Sequence, residues 1–188
     1  MKSSRKTGQT VQFTLLLSVI LTIAVIFTAC DSTGNSGSDS DDTSGTGQLE
    51  YQGETTSLTQ LVFDKYGPEG SGAYNTDIVI FSDGINIDTG AGSGMIIDLW
   101  TYFSTSEVTA GTYNWTDADP PASNKFSALS AIVTNVNGKI VAEDLIAAGS
   151  FDIEVSGSTY TITGSVTTDE GKPANFIYTG PVTAVFTE

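Results

Sequence analysis

Apolar and polar residues alternate with a period of two in the C-terminal part of the chain. Phe151, Ile153 and Val155 are separated by acidic residues, and after a Ser-Gly-Ser turn Tyr160 and Ile162 continue the alternation. Successive side chains of a β-strand point to opposite faces, so this pattern predicts strands with one buried face and one wet face. The same alternation recurs up to the C-terminus, which indicates an antiparallel sheet.

Short runs of Val, Ile, Thr, Tyr and Phe between clusters of Gly, Asn, Asp and Ser fill the chain from Leu49 onward. No run keeps the 3.6-residue period of a helix, and Asn137-Gly138 is a typical hairpin turn. The predicted strands are Thr59–Tyr66, Thr76–Phe81, Ile85–Asp88, Gly94–Phe103, Gly111–Trp115, Ala128–Val136, Lys139–Leu145, Ser150–Val155, Thr159–Val166 and Ala174–Phe186. Such spacing favours one all-β domain, an antiparallel β-sandwich or flattened β-barrel of about 8–10 strands.

The N-terminus has a different pattern. Three basic residues within the first six positions precede an apolar run from Phe13 to Phe27, which leads through small residues to the single cysteine, Cys30. This order predicts a secretory signal peptide over residues 1–29. It resembles the lipobox of bacterial lipoproteins, with Phe27 where Leu, Val or Ile is usual. The resemblance implies cleavage before Cys30 and attachment of lipid, palmitate included, to that cysteine.

A retained transmembrane helix over residues 13–29 is the alternative interpretation of the apolar run. Its seventeen residues are near the lower limit for crossing a bilayer, and Thr14, Ser18 and Thr22 make it less apolar. Because the positive charges precede the run, either anchor places the rest of the chain outside the cytoplasm.

Residues 31–47 contain only Ser, Thr, Gly, Asp and Asn. With no apolar side chain to bury, residues 30–47 are predicted to form a lipidated cysteine and flexible acidic linker before a domain over residues 48–188. Asp39, Asp41 and Asp42 resemble the export signals of surface lipoproteins in Bacteroidetes-type bacteria, whereas Asp31 resembles an inner-membrane retention signal of enteric bacteria. A spacer without any address is the third interpretation. We expect an extracytoplasmic, lipid-anchored protein at the outer membrane, exposed on the cell surface if the export signal operates.

Charge and composition restrict the possible functions. After signal cleavage, four lysines remain against 22 acidic residues, a net charge of −18, which argues against binding nucleic acid. The chain has no histidine, the commonest general base and metal ligand. Carboxylate pairs for a hydrolase exist at Glu143 with Asp144 and at Asp152 with Glu154, but nothing in the sequence keeps one acid protonated. We therefore expect no enzyme.

The strand Gly94–Phe103 carries the strongest candidate binding site. One of its faces is apolar and is assigned to the core, whereas Asp98, Trp100 and Tyr102 share the other face. Aromatic rings can cover the apolar face of a sugar while a carboxylate accepts hydrogen bonds from its hydroxyls, so this face is a candidate glycan site. Tyr113 and Trp115 could extend it. Alternatively, these aromatic residues pack beneath a loop or inside a closed barrel.

A glycine-rich loop contains a second, weaker candidate. Asp83 and Asp88 could supply oxygen ligands to Ca²⁺, although Asp and Gly are also the residues that turns require.

A resemblance extends over about residues 94–188. Gly111-Thr112-Tyr113, Gly149-Ser150-Phe151, Tyr160-Thr161-Ile162 and Gly180 after Tyr178 resemble the closing half of small all-β lipoproteins from Bacteroidetes-type bacteria, many uncharacterised and some described as lipocalin- or calycin-like. The resemblance implies no catalytic motif. We expect a membrane-anchored binding or structural module whose partner is a carbohydrate or a protein surface. A lipocalin-like carrier of a small apolar ligand and a carboxylate-based glycan hydrolase are the alternatives.

Overall fold

The computed structural model describes residues 44–69, 72–119 and 121–187. The regular secondary structure in these residues consists entirely of β-strands. These are β1 (Thr46–Tyr51), β2 (Glu54–Pro68), β3 (Tyr74–Ser82), β4 (Gly94–Phe103), β5 (Gly111–Thr116), β6 (Lys125–Ser127), β7 (Ala131–Val136), β8 (Lys139–Ser156), β9 (Thr159–Thr168), β10 (Pro173–Pro181) and β11 (Ala184–Thr187). The all-β prediction is confirmed. The predicted signal peptide, Cys30 and the linker up to residue 43 lie outside the described residues. None of the described segments forms a helix long and apolar enough to cross a membrane.

The strands form one sheet whose ladder of hydrogen bonds returns to its starting strand. The circuit runs from β1 through β2, β3, β4, β7, β8, β9 and β10 and back to β1, and every ladder along it is antiparallel. Closure gives each of these strands a neighbour on both sides, which removes exposed strand edges. A sandwich and a flattened barrel are both compatible with this ring of strands.

Four short strands, β5, β6, β7 and β11, lie where longer neighbours end. Between β4 and β8, β7 fills one half of the gap, and β5 together with β6 fills the other half. β11 pairs with β2 beyond the point where β1 ends. The β5–β6 and β11–β2 ladders are parallel, so the sheet is mixed. Within the described residues it has eleven strands, where about eight to ten antiparallel ones were predicted.

One continuous cluster of buried side chains fills the interior of the ring. At its centre, the ring of Phe151 lies 5.2 Å from that of Tyr113 and 5.1 Å from that of Phe126, measured between centroids. The ring of Phe103 packs 5.0 Å from Tyr113. Burying each such side chain contributes roughly 1.5–3 kcal/mol, so the interior is a packed core that stabilises the ring.

Two glycines allow the ring to close tightly. A Cβ atom at Gly47 would lie 2.3 Å from the carbonyl oxygen of Ile177, and one at Gly164 would lie 2.2 Å from the ring of Phe176. Because β1 and β9 carry no side chain at these two points, β10 can pack directly against both of them.

Several predicted boundaries are corrected. β1 begins at Thr46, within the segment predicted as linker, because the glycine-rich end of that segment pairs with β10. The predicted strand Ile85–Asp88 is wrong: the side chain of Asn86 accepts hydrogen bonds from the backbone of Asp88 and Thr89, which closes a turn instead. The two strands predicted between residues 139 and 155 are one strand, β8, with a bulge.

Candidate functional site

The strand that the sequence singled out forms as predicted, with its two faces as assigned. Ile97 and Leu99 are fully buried in the core. Their neighbours Asp98, Trp100 and Tyr102 therefore lie on the outer face of the ring, since side chains alternate along a strand.

The aromatic residues on this outer face stack on and hydrogen-bond to one another. Tyr66 on β2 and Trp100 on β4 stack across the intervening β3, with ring centroids 4.9 Å apart. The Nε1 of Trp100 donates a hydrogen bond to the hydroxyl of Tyr102 at 2.9 Å, and Tyr102 is buried. One face of the indole and its only donor are thus occupied, so the predicted sugar platform is a closed aromatic cluster in this conformation.

Three carboxyl groups lie on the same outer face, on three adjacent strands. Asp64 on β2 stands opposite Asp77 on β3, which is itself opposite Trp100, and Asp98 is two residues before Trp100 on β4. Asp77 is only 2% exposed. It hydrogen-bonds to Asp98, and the hydroxyl of Tyr66 donates to Asp64 at 3.0 Å.

The pKa values of these three carboxyl groups are raised. Burial raises the pKa of Asp77 well above its ordinary value, and the charge of Asp98, their hydrogen bond and the charge of Asp64 raise it further. Burial also raises the pKa of Asp98 to about 6, while the hydrogen bond from Asp77 acts in the opposite direction. Burial likewise raises the pKa of Asp64 and of Glu143, which also feels the charge of Asp98. Asp77 is therefore the protonated partner that donates to Asp98.

Tyr113 and Trp115 do not extend this face. Tyr113 is buried in the core against Phe151, and its hydroxyl donates to the carbonyl oxygen of Thr109 at 2.7 Å. Trp115 packs against the same core, and its Nε1 donates to the carbonyl oxygen of Ile146. Their alternation on β5 was visible in the sequence, but β5 directs these two rings inward, as the alternative interpretation proposed.

The carboxylates of Asp83 and Asp88 are exposed in the loop after β3. Within residues 44–69, 72–119 and 121–187, no three Asp, Glu, Cys or His side chains are placed together as a metal ion would require. Calcium binding at Asp83 and Asp88 therefore gains no structural support.

The structure also shows the positions of the two candidate carboxylate pairs of a hydrolase, Glu143 with Asp144 and Asp152 with Glu154. Asp144 accepts hydrogen bonds from the hydroxyl of Tyr51 at 2.7 Å and from Nζ of Lys172 at 3.3 Å. Its neighbour Glu143 points to the other side of β8, towards Asp98. Asp152 and Glu154 are exposed on the outer face of β8, so neither pair converges on an enclosed cleft.

A groove of about 350 Å³ crosses the outer face of β1, β10, β9 and β8. Eight outward residues from the four strands form two rows in register. One row is Glu50, Asn175, Ser165 and Ser150, and the other is Gln48, Ile177, Thr163 and Asp152. Strands are about 4.8 Å apart, so each row is roughly 14 Å long.

The groove is open over β9, where its lining side chains are short. Ser165 and Thr163 lie on β9, one of the two central strands, while Glu50 on β1 and Asp152 on β8 border the groove on either side. The hydroxyl of Thr112 on β5 donates to Asp152 and fixes its orientation. Apart from Ile177, the outward side chains of the two rows are hydroxyl, amide or carboxylate groups.

No family model, curated protein or solved structure matches this chain. Geometry and chemistry are therefore the basis for any functional conclusion.

Sequence reasoning missed both the groove and the central role of Asp77. The alternation predicted which residues of β8, β9 and β10 point outward. It contained no information on which strands are neighbours, and β1 was not predicted at all. Asp77 lay in a predicted strand, but only the register between β2, β3 and β4 brings it to Asp64 and Asp98.

Proposed function

We propose that this chain is a membrane-anchored extracytoplasmic lipoprotein whose all-β domain binds neutral glycans in the groove across β1, β10, β9 and β8. The observation that carries the proposal is the pair of polar rows in register. Hydroxyl, amide and carboxylate groups at strand spacing can donate to and accept from the hydroxyls of a sugar chain along the groove. A rigid sheet holds them in place, which lowers the entropic cost of binding.

The charge of the groove selects against anionic ligands. Of the residues that the structure describes, Glu50 and Asp152 are the charged ones lining the groove, and no lysine lines it. An anionic polysaccharide would therefore meet repulsion without a compensating cation. A neutral, hydroxyl-rich ligand fits this lining best.

The two alternative functions receive less support. A lipocalin-like carrier needs space for its ligand inside the ring, whereas Phe103, Tyr113 and Phe151 pack against one another there. A glycoside hydrolase needs two carboxyl groups about 5–9.5 Å apart with substrate between them. Asp77 and Asp98, the pair with strongly raised pKa values, instead hydrogen-bond directly to each other.

The sequence supports the lipid anchor in this proposal. The apolar run ending at Cys30 and the polar residues 31–43 are its support, and both precede the described residues. A tether of this composition would let the groove reach ligands a few nanometres from the membrane, by random-coil dimensions of about 5–6 Å times the square root of the residue number.

Calorimetric titration of the purified protein with a panel of neutral oligosaccharides tests the glycan site. We expect binding by at least one member of the panel. Ser165→Tyr, which fills the groove from an exposed position, should abolish that binding. Asp152→Asn should weaken it by roughly tenfold, because a hydrogen bond to a charged group contributes about 1.5–3 kcal/mol.

Two control variants separate the groove from the aromatic face. Glu154→Gln lies on β8 outside the groove and should bind like the wild type. Trp100→Ala alters the predicted sugar platform on the other side of the ring and should also retain binding. Loss of binding in Trp100→Ala, with Ser165→Tyr unaffected, would move the site to the aromatic face and contradict the groove proposal.

A further inference from the structure

The carboxyl groups of Asp64, Asp77 and Asp98 form a cluster on β2, β3 and β4, on the side of the ring away from the groove. Each of them has one buried side-chain oxygen without a hydrogen-bond partner among residues 44–69, 72–119 and 121–187. Buried polar atoms are ordinarily satisfied, because leaving one unpaired costs about 1–3 kcal/mol. A cluster that leaves three such oxygens unpaired needs a physical explanation.

Among the described residues, the groups facing this cluster supply no positive charge. The charges of Asp98 and Asp64 raise the pKa of Asp77. The charge of Asp64 raises the pKa of Asp98, and the hydrogen bond from Asp77 lowers it. From β8, Glu143 adds a further carboxylate near Asp98. From β2 and β4 the facing titratable groups are the phenols of Tyr66 and Tyr102, and opposite Asp98 on β7 stands Ala131. No lysine in the part of the chain that the structure describes shifts the pKa of Asp77 or Asp98.

The proton on Asp77 is therefore what keeps the cluster stable. With it, Asp77 donates to Asp98, and the pair carries one negative charge. Without it, two adjacent carboxylates repel each other in surroundings of low dielectric constant, where Coulomb energies are several times larger than in water. Repulsion of this kind is relieved only if water or a counter-ion reaches the oxygens.

The aromatic stack closes the route by which water would arrive. Tyr66 and Trp100 lie on the strands to either side of β3, and their rings meet over it. The stack is attached to the cluster, because the hydroxyl of Tyr66 donates to Asp64. Opening it requires only side-chain rotation at a half-buried surface site, so the backbone ring can remain intact.

We propose that Asp64, Asp77 and Asp98 form a proton-operated latch: while Asp77 holds its proton, the Tyr66–Trp100 stack stays closed, and loss of the proton opens the stack and admits water to the carboxylates. Opening frees the indole of Trp100 beside the ionised Asp98. A protein outside the cytoplasm experiences the pH of its surroundings directly, so the state of this face would follow that pH.

Tryptophan fluorescence of the full chain in detergent tests the latch. The chain has two tryptophans, so Trp115→Phe is used as the background in which Trp100 is the reporter. We expect a red shift of the emission and stronger quenching by acrylamide as pH rises from about 6, where Asp98 ionises, to about 9, where the most strongly shifted buried carboxyl groups ionise. The double variant Asp77→Asn/Asp98→Asn should remove this transition, whereas Asp83→Asn, an exposed aspartate outside the cluster, should retain it.

Two results would overturn the latch. One is a Trp100 signal that is constant over this pH range while circular dichroism shows the protein folded. The other is a transition that persists unchanged in Asp77→Asn/Asp98→Asn. If the double variant fails to fold, carboxyl ¹³C NMR of the wild type decides: the latch requires at least two aspartates that titrate above pH 5, and aspartates that all titrate lower would refute it.

Discussion

Single residues fix both the closure of the ring and its unusual acidity. Gly47 and Gly164 lie at positions where any side chain would collide with β10. Asp77 is a buried carboxyl group that the fold tolerates because it is protonated and hydrogen-bonded. Each of these residues has an effect that a substitution can isolate.

Gly164→Ala should destabilise the protein. The new Cβ atom would lie 2.2 Å from the ring of Phe176, which is buried and cannot move without disturbing β10. Overpacking of this kind typically costs about 1–3 kcal/mol. Urea denaturation should show this loss in the free energy of unfolding. Ser165→Ala, an exposed change at the next position, is the control, and equal stability of the two variants would contradict the packing of Phe176 over β9.

The free energy of unfolding should fall as pH rises from about 4 to above 6. The folded pKa of Asp98 is about 6, above its value of 3.8 in the unfolded chain, so the folded state binds more protons within this window. Stability therefore decreases with pH there and levels off once the folded protein has lost the proton, a change of about 3 kcal/mol. The raised pKa of Asp77 extends the decrease to higher pH.

Denaturation midpoints measured at several pH values test this dependence. Asp98→Asn should flatten the profile, and Asp83→Asn should leave it unchanged. A stability maximum at pH 8 in the wild type would show that the carboxyl cluster does not control the pH dependence.

At the scale of elements, the sequence predicted strands well where alternation was regular and poorly where glycine or alanine interrupted it. β4 was predicted with its observed bounds, because a run of apolar and aromatic residues with a preference for strands lies between Gly94 and Ser104. β1 was missed since Thr46 and Gly47 resemble the linker before them. β8 was predicted as two strands, because residues 146–149, which include two alanines and Gly149, interrupt the alternation. The candidate site required strand order and register, which arise from long-range pairing and leave no local signal.

Hydrogen exchange should differ between β11 and β9. β11 has four residues and β2 as its one neighbour among the described strands, and Val185 is 53% exposed. β9 is paired along its length with β8 and β10. Amides of strands with few buried contacts exchange through local opening, so those of residues 184–187 should exchange much faster than those of residues 160–166. Equal protection would contradict the marginal position of β11.

At the scale of the whole molecule, the core and the proposed functions occupy different layers. The packed interior leaves the outside of the ring for binding, with the groove on one side and the Asp64–Asp77–Asp98 cluster on the other. Because the ladder closes on itself, both surfaces are held by the same circuit of strands. The acidic surface and the proposed lipid anchor would keep this domain solvated close to a membrane.

Replacing the proposed lipid acceptor should release the protein from the membrane. A Cys30→Ser variant lacks the thiol that would carry lipid, so the mature form should disappear from the detergent-phase fraction. Mass spectrometry of the wild-type N-terminus should show a chain beginning at a lipidated Cys30. An unprocessed chain beginning at Met1 in the native membrane fraction would contradict the anchor and favour the retained helix.

The most direct test of the central claim is an amide NMR titration of ¹⁵N-labelled protein with the oligosaccharide that binds best. We predict that the shift changes concentrate on β1, β10, β9 and β8, at Glu50, Asp152, Thr163, Ser165 and Asn175. Saturable shifts confined to Asp98, Trp100 and their neighbours, or no shifts with any neutral glycan, would contradict the groove as the binding site.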